Sequence, residues 1–179
     1  VNWIHQQPFQ YLFEEAAKVL YLAPEKDEPM AHYYLYSFTN DQTELKQAEE
    51  SNSLYCFPNR LEDLLVLERA VRDGGQYAAY YLGNLLYDRG RWEEALELWE
   101  QCADKISLPT VYRNLSLAYY NKLNDPEKAQ VAMEKAFSMD TTDARVFYEL
   151  DQLYKLQNCS LQMRLDNMNA HAELLDKRD

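Results

Sequence analysis

The chain has 179 residues, of which 47% are hydrophobic, so it is long enough to fill one hydrophobic core. It carries 18 Lys and Arg against 30 Asp and Glu, and the resulting charge of -12 repels phosphate backbones and anionic membranes, which argues against nucleic acid as a partner. With only four Gly and six Pro, the composition predicts an all-α protein.

Cysteine content and the lack of targeting segments predict a cytoplasmic setting. The chain has three cysteines, Cys56, Cys102 and Cys159. Their odd number and wide spacing indicate neither a disulfide framework nor a zinc site. No apolar run is long enough to span a membrane, and the first residues lack the pattern of a signal peptide. Because the chain starts without Met and ends directly after a helical pattern, we expect a piece of a longer polypeptide.

Helical periodicity covers nearly the whole sequence, and short breaks divide it into about ten predicted helices. Residues 1–75 predict degenerate helical hairpins. The segment "PFQYLFEEAAKVLYLAP" indicates an outer helix whose inner partner lies before the first residue. Residues 60–73 indicate another outer helix with Ala70 at its small-residue position, and its partner is either residues 42–52 or the apolar "PMAHYYLYSFT".

A repeat with a period near 34 residues follows in residues 76–179. Ala95, Ala129 and Met163 lie 34 apart, while the leucines at 82, 115 and 150 are spaced by 33 and 35. These spacings predict three units of two helices each, at 76–109, 109–142 and 143–177, within one continuous domain. Asp125 before Pro126, and Asp143, are placed to cap two of the helices.

The segment "YYLGNLLYDRGRWEEALELWEQC" resembles a tetratricopeptide repeat. The matching residues are Leu82, Gly83, Leu86, Gly90, Trp92, Ala95, Trp99 and Cys102. Gly83 permits close helix approach, Gly90 shapes the turn, and Trp99 is expected to fill the space between units. The resemblance implies an α-α superhelix (a tetratricopeptide solenoid) of about ten antiparallel helices.

The later units depart from this pattern at the glycine positions. Ser116 follows Leu115 in the second unit, and Asp151 follows Leu150 in the third, where Asn158 also replaces the turn glycine. Such degeneracy is typical of a terminal or capping unit, or of a place where the array gives way to a different structure. The order of segments from "YCFPNRLEDLLVLERAV" to "HAELLDKRD" is also similar to the repeat region of large bacterial proteins of uncharacterised function whose N-terminal part looks like a sugar-mutarotase β-sandwich. That likeness places any sugar-related region outside this chain.

Nothing in the sequence predicts catalysis, a metal or a cofactor. His5, His32 and His171 are far apart and lack metal-binding spacings. The glutamates near Trp92 are typical of a solvated helix face. We therefore expect a non-catalytic protein.

The remaining candidate is the concave groove that first helices line in a tetratricopeptide array. Positions two before, two after and five after each leucine anchor are expected to point into it. With two flanking polar residues, the predicted ligand groove is Tyr80, Asn84, Tyr87, Arg113, Asn114, Leu117, Tyr120, Arg145, Tyr148, Gln152 and Lys155. Its tyrosines are typical of a binding surface, or of a face that packs against another part of the full-length protein.

Asn84, Asn114 and Arg145 also match places in the clamp by which some tetratricopeptide domains bind a C-terminal carboxylate. Tyr80 and Glu149 stand where that clamp needs cations, which argues against it.

Two functions follow. The first is a scaffold that binds a protein or peptide segment, including one from another domain of the same chain, through the groove. The alternative is a structural arm that packs against a carbohydrate-active or carbohydrate-binding domain elsewhere in the full-length protein. No membrane partner is expected. Nothing indicates a homo-oligomer, although exposed ends of the array would permit one.

Overall fold

A computed structural model describes residues 7–23, 27–51 and 56–175. Within these ranges the chain forms ten α-helices and one short 3-10 helix, and it contains no strand. The helices are α1 (Gln7–Tyr21), α2 (Pro29–Thr39), α3 (Gln42–Glu50), α4 (Leu61–Arg72), α5 (Gln76–Asp88), α6 (Trp92–Cys102), α7 (Pro109–Asn121), α8 (Pro126–Met139), α9 (Ala144–Leu156) and α10 (Leu161–Ala170), followed by the 3-10 turn Ala172–Leu174. The all-α prediction is confirmed for this part of the chain. Residues 1–6, 24–26, 52–55 and 176–179 of the predicted regions lie outside it.

Helix contacts divide the chain into two compact units, Val1–Cys102 and Ala103–Asp179. In the N-terminal unit, α2 packs against α1, α3 and α4, while α5 packs against α3, α4 and α6. In the C-terminal unit, α8 packs against α7 and α9. The division falls between α6 and α7, inside the region predicted as one continuous domain.

Local signals in the sequence set the helix starts of the C-terminal unit. Asp125 accepts a hydrogen bond from the backbone N–H of Lys128 at 3.0 Å, and Pro126 takes the first helical position of α8. Asp143 accepts from the N–H groups of Arg145 and Val146 at 2.9 and 3.0 Å. Both predicted caps are therefore confirmed.

The turns inside the three later hairpins share one backbone conformation. Gly90, Asn124 and Asn158 have φ angles of 79°, 51° and 59°, in the left-handed region that glycine and asparagine adopt most readily. Asn158, which replaces the turn glycine, thus keeps its conformation.

The position after each leucine anchor is where the two helices of a hairpin cross. In the α5–α6 hairpin, a Cβ atom on Gly83 would lie only 2.5 Å from Nε1 of Trp99. Trp99 is 2% exposed, and its N–H donates to the carbonyl of Tyr80 at 3.3 Å. These contacts, and that with the Tyr87 ring at 5.3 Å, lie within its own hairpin. The role between units stays a prediction.

The equivalent positions of the C-terminal unit carry polar contacts. The buried Ser116 hydroxyl donates to the carbonyl of Ala129 at 2.6 Å. Asp151, 4% exposed, accepts two hydrogen bonds from Arg164 of α10, at 2.8 and 2.6 Å. Three residue types thus occupy one repeat position, each with a partner on the second helix.

Tyrosine–carboxylate pairs join the helices of the N-terminal unit. From α2, Tyr33 donates to Glu49 at 2.6 Å and Tyr34 donates to Asp63 at 2.7 Å. Burial, followed by the nearby Glu49, raises the pKa of Tyr33 well above its usual value. These tyrosines are therefore neutral donors that link α2 to its neighbours.

The structure gives α4 a different antiparallel neighbour from the predicted ones. Tyr34 meets Asp63 at the start of α4, and Arg69 near its end donates to the carbonyl of Ser37 near the end of α2, so these helices run parallel. At the other side, Arg89 after α5 donates to the carbonyl of Asn59 before α4. Since hairpin partners are antiparallel, α2 is not the hairpin partner of α4, and the proposed pairing with "PMAHYYLYSFT" is corrected. The antiparallel neighbour of α4 is α5, which itself forms a hairpin with α6.

The first turn of α5 takes its cap from another helix. Gly75 at its N-cap position has no side chain to offer. Instead, the carboxylate of Glu49 in α3 accepts from the N–H groups of Gln76, Tyr77 and Ala78 at 2.7, 2.8 and 3.0 Å. A negative charge at a helix N-terminus is favourable, so Glu49 stabilises the start of α5 from a distance in sequence.

Candidate functional site

The eleven predicted groove residues divide between the two units. Tyr80, Asn84 and Tyr87 lie on α5 in the N-terminal unit. The other eight lie in the C-terminal unit, and we call them the α7–α9 face: Arg113, Asn114, Leu117 and Tyr120 on α7, with Arg145, Tyr148, Gln152 and Lys155 on α9.

The α5 tyrosines pack largely within their own unit. Tyr80 is 8% exposed and lies 5.4 Å from the ring of Tyr81, while the half-buried Tyr87 lies 5.3 Å from the ring of Trp99. Asn84 between them is half-buried. Tyr80 in particular leaves little ring surface for a ligand, because most of it is covered.

On the α7–α9 face, one carboxylate joins the two helices. Arg113 of α7 binds Glu149 of α9 through two hydrogen bonds of 2.6 Å, from Nε and from a terminal nitrogen. Arg145, one turn before Glu149, adds a third bond from Nε at 3.2 Å. The paired, planar geometry of the first contact is the strongest that arginine makes with a carboxylate. Glu149 thus fixes the spacing of α7 and α9.

Glu149 is ionised in this setting. Partial burial raises the pKa of its carboxyl, but the hydrogen bonds and charges of Arg113 and Arg145 outweigh that effect, and the net result is a pKa below the usual value. The trio carries a net charge of +1. The charge of Glu149, which was expected to repel a bound carboxylate, is therefore more than offset by Arg113 and Arg145.

A small cavity of about 180 Å³ lies beside this ion pair. It is lined by Leu117, Tyr120 and Gln152 of the predicted groove, and by Ser116, Asn121, Met133, Glu149, Leu153 and Leu156. Met133, from α8, is almost completely buried. The cavity therefore offers an apolar interior bordered by a few polar groups, the usual make-up of a ligand pocket.

Four residues form a stripe along α9. Arg145, Tyr148, Gln152 and Lys155 are three, four and three positions apart, which places them on one helix face. The Arg145 side chain is 75% exposed and Tyr148 is 42% exposed. The stripe therefore has cations at its two ends and neutral polar groups in its middle.

Sequence reasoning missed Glu149 as a member of this site and did not foresee the cavity. The i,i+4 spacing from Arg145 to Glu149 is a signal for a pair on one helix. No local signal points to Arg113, which lies 36 residues away from Glu149.

A larger cleft of about 550 Å³ lies on a different side of α7, between α7 and α8. Its walls include Tyr112, Tyr119 and the 66% exposed Val131. Lys128 lies 5.6 Å from the ring centre of Tyr119, and Lys135 lies 5.8 Å from that of Tyr112. The cleft contains none of the predicted groove residues.

The Cys56 thiol is buried and His32 is engaged in a structural contact. Burial raises the pKa of the Cys56 thiol to about 11, so the thiol is protonated at neutral pH. His32 lies 2.7 Å from Glu44, which also accepts from Tyr21 at 2.7 Å. Across the described ranges no three His, Cys, Asp or Glu side chains form a metal-ligand group, and no helix there is long and apolar enough to cross a membrane. His5 lies outside these ranges.

No protein-family model matches the sequence, but solved structures resemble it. MamA from Desulfovibrio magneticus RS-1 is 20% identical with a TM-score of 0.54, over 93% of this chain and 88% of that one. Another MamA crystal structure is 18% identical with a TM-score of 0.53, over 96% and 92%. The C-terminal part of a TPR repeat-containing protein from Cytophaga hutchinsonii is 20% identical with a TM-score of 0.52, over 92% of this chain and 60% of that one. At these identities the likeness shows the fold alone, and the chain has the tetratricopeptide-type α-α superhelix fold.

Proposed function

We propose that this chain is a non-catalytic scaffold that binds a protein or peptide segment on the α7–α9 face. The observation that carries the proposal is the small cavity, because three of its lining residues, Leu117, Tyr120 and Gln152, were assigned to the ligand groove from the repeat register alone. Two independent arguments thus lead to the same surface.

The small cavity suits one side chain of a bound segment. Its volume is about 180 Å³, and an apolar cavity of about 150 Å³ is known to hold a benzene molecule. Leu117, Leu153 and Leu156 supply apolar surface that gains from being covered. Gln152 has both a donor and an acceptor at the edge of the cavity, where a peptide backbone would run.

The α7–α9 face is also held in place before any ligand arrives. The bond of Arg113 to Glu149 fixes α7 against α9. Ser116 of α7 donates to the carbonyl of Ala129 in α8, and Tyr154 of α9 donates to Glu134 of α8 at 3.0 Å, so both helices are also held against α8. A surface that needs no rearrangement loses less entropy when it binds. These features favour recognition of a segment and not a catalytic role.

The test starts from a phage-displayed library of random short peptides. Peptides selected on the whole chain would be synthesised, and their Kd measured by titration calorimetry against the wild type, Leu117→Glu and Val131→Glu. Leu117 lies in the small cavity and Val131 in the larger cleft, so the variants place the same charge on two different surfaces. We expect Leu117→Glu to weaken binding by roughly tenfold or more and Val131→Glu to leave it unchanged.

Circular dichroism would first establish that both variants are folded. Equal binding by the wild type and Leu117→Glu would contradict the proposal, and loss of binding in Val131→Glu alone would transfer the site to the larger cleft. Failure to select any peptide would favour the alternative, in which these helices are a structural arm that packs against a carbohydrate-related domain.

A further inference from the structure

The charges on α7 and α9 are distributed unlike those of the chain as a whole. The chain has a net charge of -12. On the two helices, however, the charged side chains are Arg113, Arg145, Glu149, Asp151 and Lys155. Asp151 is buried and bound by Arg164, so the three cations of the α7–α9 face have only one carboxylate of these two helices beside them, that of Glu149. A locally positive surface on an acidic protein favours an acidic ligand.

Two of these cations have hydrogen-bonding capacity to offer. Within the part of the chain that the structure describes, Arg145 uses only its Nε, toward Glu149, and its side chain is 75% exposed. The exposed Lys155 ammonium has no protein partner in the same part of the chain. Asp143 at the start of α9 accepts from the backbone N–H groups of Arg145 and Val146, so its carboxylate is already engaged.

The distance between the two cations limits the ligand. Arg145 and Lys155 are ten residues apart on one helix face, which corresponds to about 15 Å along the axis. An extended peptide rises about 3.3 Å per residue and its side chains alternate between two sides, so side chains four positions apart lie on one side and, about 13 Å apart, would reach both cations. Gln152, at the edge of the small cavity, lies between them on the same stripe.

From this arrangement we infer that the bound segment is acidic and extended, with two carboxylate side chains four positions apart and an apolar residue midway between them. This inference rests on the proposed binding function of the α7–α9 face. The carboxylates bind Arg145 and Lys155, and the apolar residue enters the small cavity. The ligand charges are those of internal Asp or Glu side chains, so no free C-terminus is needed.

Two synthetic peptides provide the test. The first has glutamates at its first and fifth positions and leucine midway, in a background of serine, and the second has glutamines in place of the glutamates. Both are acetylated and amidated, which removes the terminal charges. We expect the acidic peptide to bind the whole chain roughly tenfold more tightly at low salt, and the difference to shrink as salt shortens the Debye length.

Charge reversal on the protein completes the experiment. Arg145→Glu and Lys155→Glu are each expected to weaken binding of the acidic peptide and to leave the glutamine peptide unaffected. Lys135→Glu, in the larger cleft, makes the same charge change elsewhere and serves as the matched control.

The outcomes separate the two proposals. Equal affinities for the two peptides, with both lost in Leu117→Glu, would overturn the acidic-ligand inference and keep the binding function. If neither peptide binds and library-selected peptides ignore Leu117→Glu, the binding function itself fails. An equal loss with Lys135→Glu would show a general charge effect and would also overturn the inference.

Discussion

The α5–α6 hairpin of the N-terminal unit and the α9–α10 hairpin of the C-terminal unit use opposite chemistry at the same repeat position. In the first, Gly83 has no side chain and the buried Trp99 ring lies directly against it. In the second, Asp151 binds Arg164 through two charged hydrogen bonds. One crossing depends on apolar packing and the other on an ion pair.

The two hairpins bury very different amounts of their second helix. Helix α6 buries Ala95, Leu96, Trp99 and Cys102, whereas α10 has no buried residue. The third repeat thus keeps its hairpin turn at Asn158 although its second helix, α10, buries no residue. The helix that is held mainly by an ion pair is expected to open more readily than the one that is held by packing.

The largest expected effect comes from removing the apolar packing of Trp99 against Gly83. Trp99→Ala should lower the free energy of unfolding by roughly 3 to 5 kcal/mol, because a buried aromatic ring is replaced by a cavity. Urea denaturation followed by circular dichroism measures this. Trp92→Ala, at a side chain that is 39% exposed, is the control and should cost much less. Equal losses in the two variants would remove the special role of the Gly83 crossing.

Breaking the ion pair should have a smaller and more local effect. Arg164→Ala leaves the carboxylate of Asp151 without its partner, and the simplest relief is release of α10 into water. Hydrogen exchange of the α10 amides should become roughly tenfold faster, while that of α8 and α9 stays the same. The matched control is Arg91→Ala, since Arg91 binds Glu94 in the same two-bond manner on an exposed surface. Uniform acceleration across the whole unit would contradict the local picture.

The smallest expected effect concerns the buried hydrogen bond of Ser116 in the α7–α8 hairpin. Ser116→Ala removes one buried hydrogen bond to the carbonyl of Ala129 and should cost about 1 kcal/mol. Ser138 also donates to a backbone carbonyl, that of Lys135 at 2.7 Å, but it is exposed. Ser138→Ala should therefore be nearly neutral in the same denaturation experiment, and an equal loss would mean that burial is not what gives Ser116 its value.

The sequence contained enough information for the helices and their register. Helical periodicity and the leucine anchors are local signals, and the small residues Gly83, Ala95 and Ala129 mark where helices come close. Helix caps were equally readable, because Asp125 and Asp143 act on N–H groups only two or three residues away. Such features depend on near neighbours in the chain, so one sequence suffices to find them.

Side-chain partners could not be read in the same way. Arg113 and Glu149 are separated by 36 residues, and Asp151 and Arg164 by 13, so their pairing depends on which helix faces which. The antiparallel neighbour of α4 was missed for the same reason. The tyrosines at groove positions suggested a binding surface, yet Tyr80 on α5 is only 8% exposed and lies against the ring of Tyr81.

The cap that Glu49 gives to α5 has a practical consequence for dividing the protein. The repeat register invites a minimal fragment that starts at residue 76, but such a fragment lacks α3. Three N–H groups at the start of α5, those of Gln76, Tyr77 and Ala78, would then have only water as a partner. A fragment meant to carry the first complete repeat should therefore begin before α3, or begin one residue earlier, at position 75, with an aspartate or serine in place of Gly75 as a new cap.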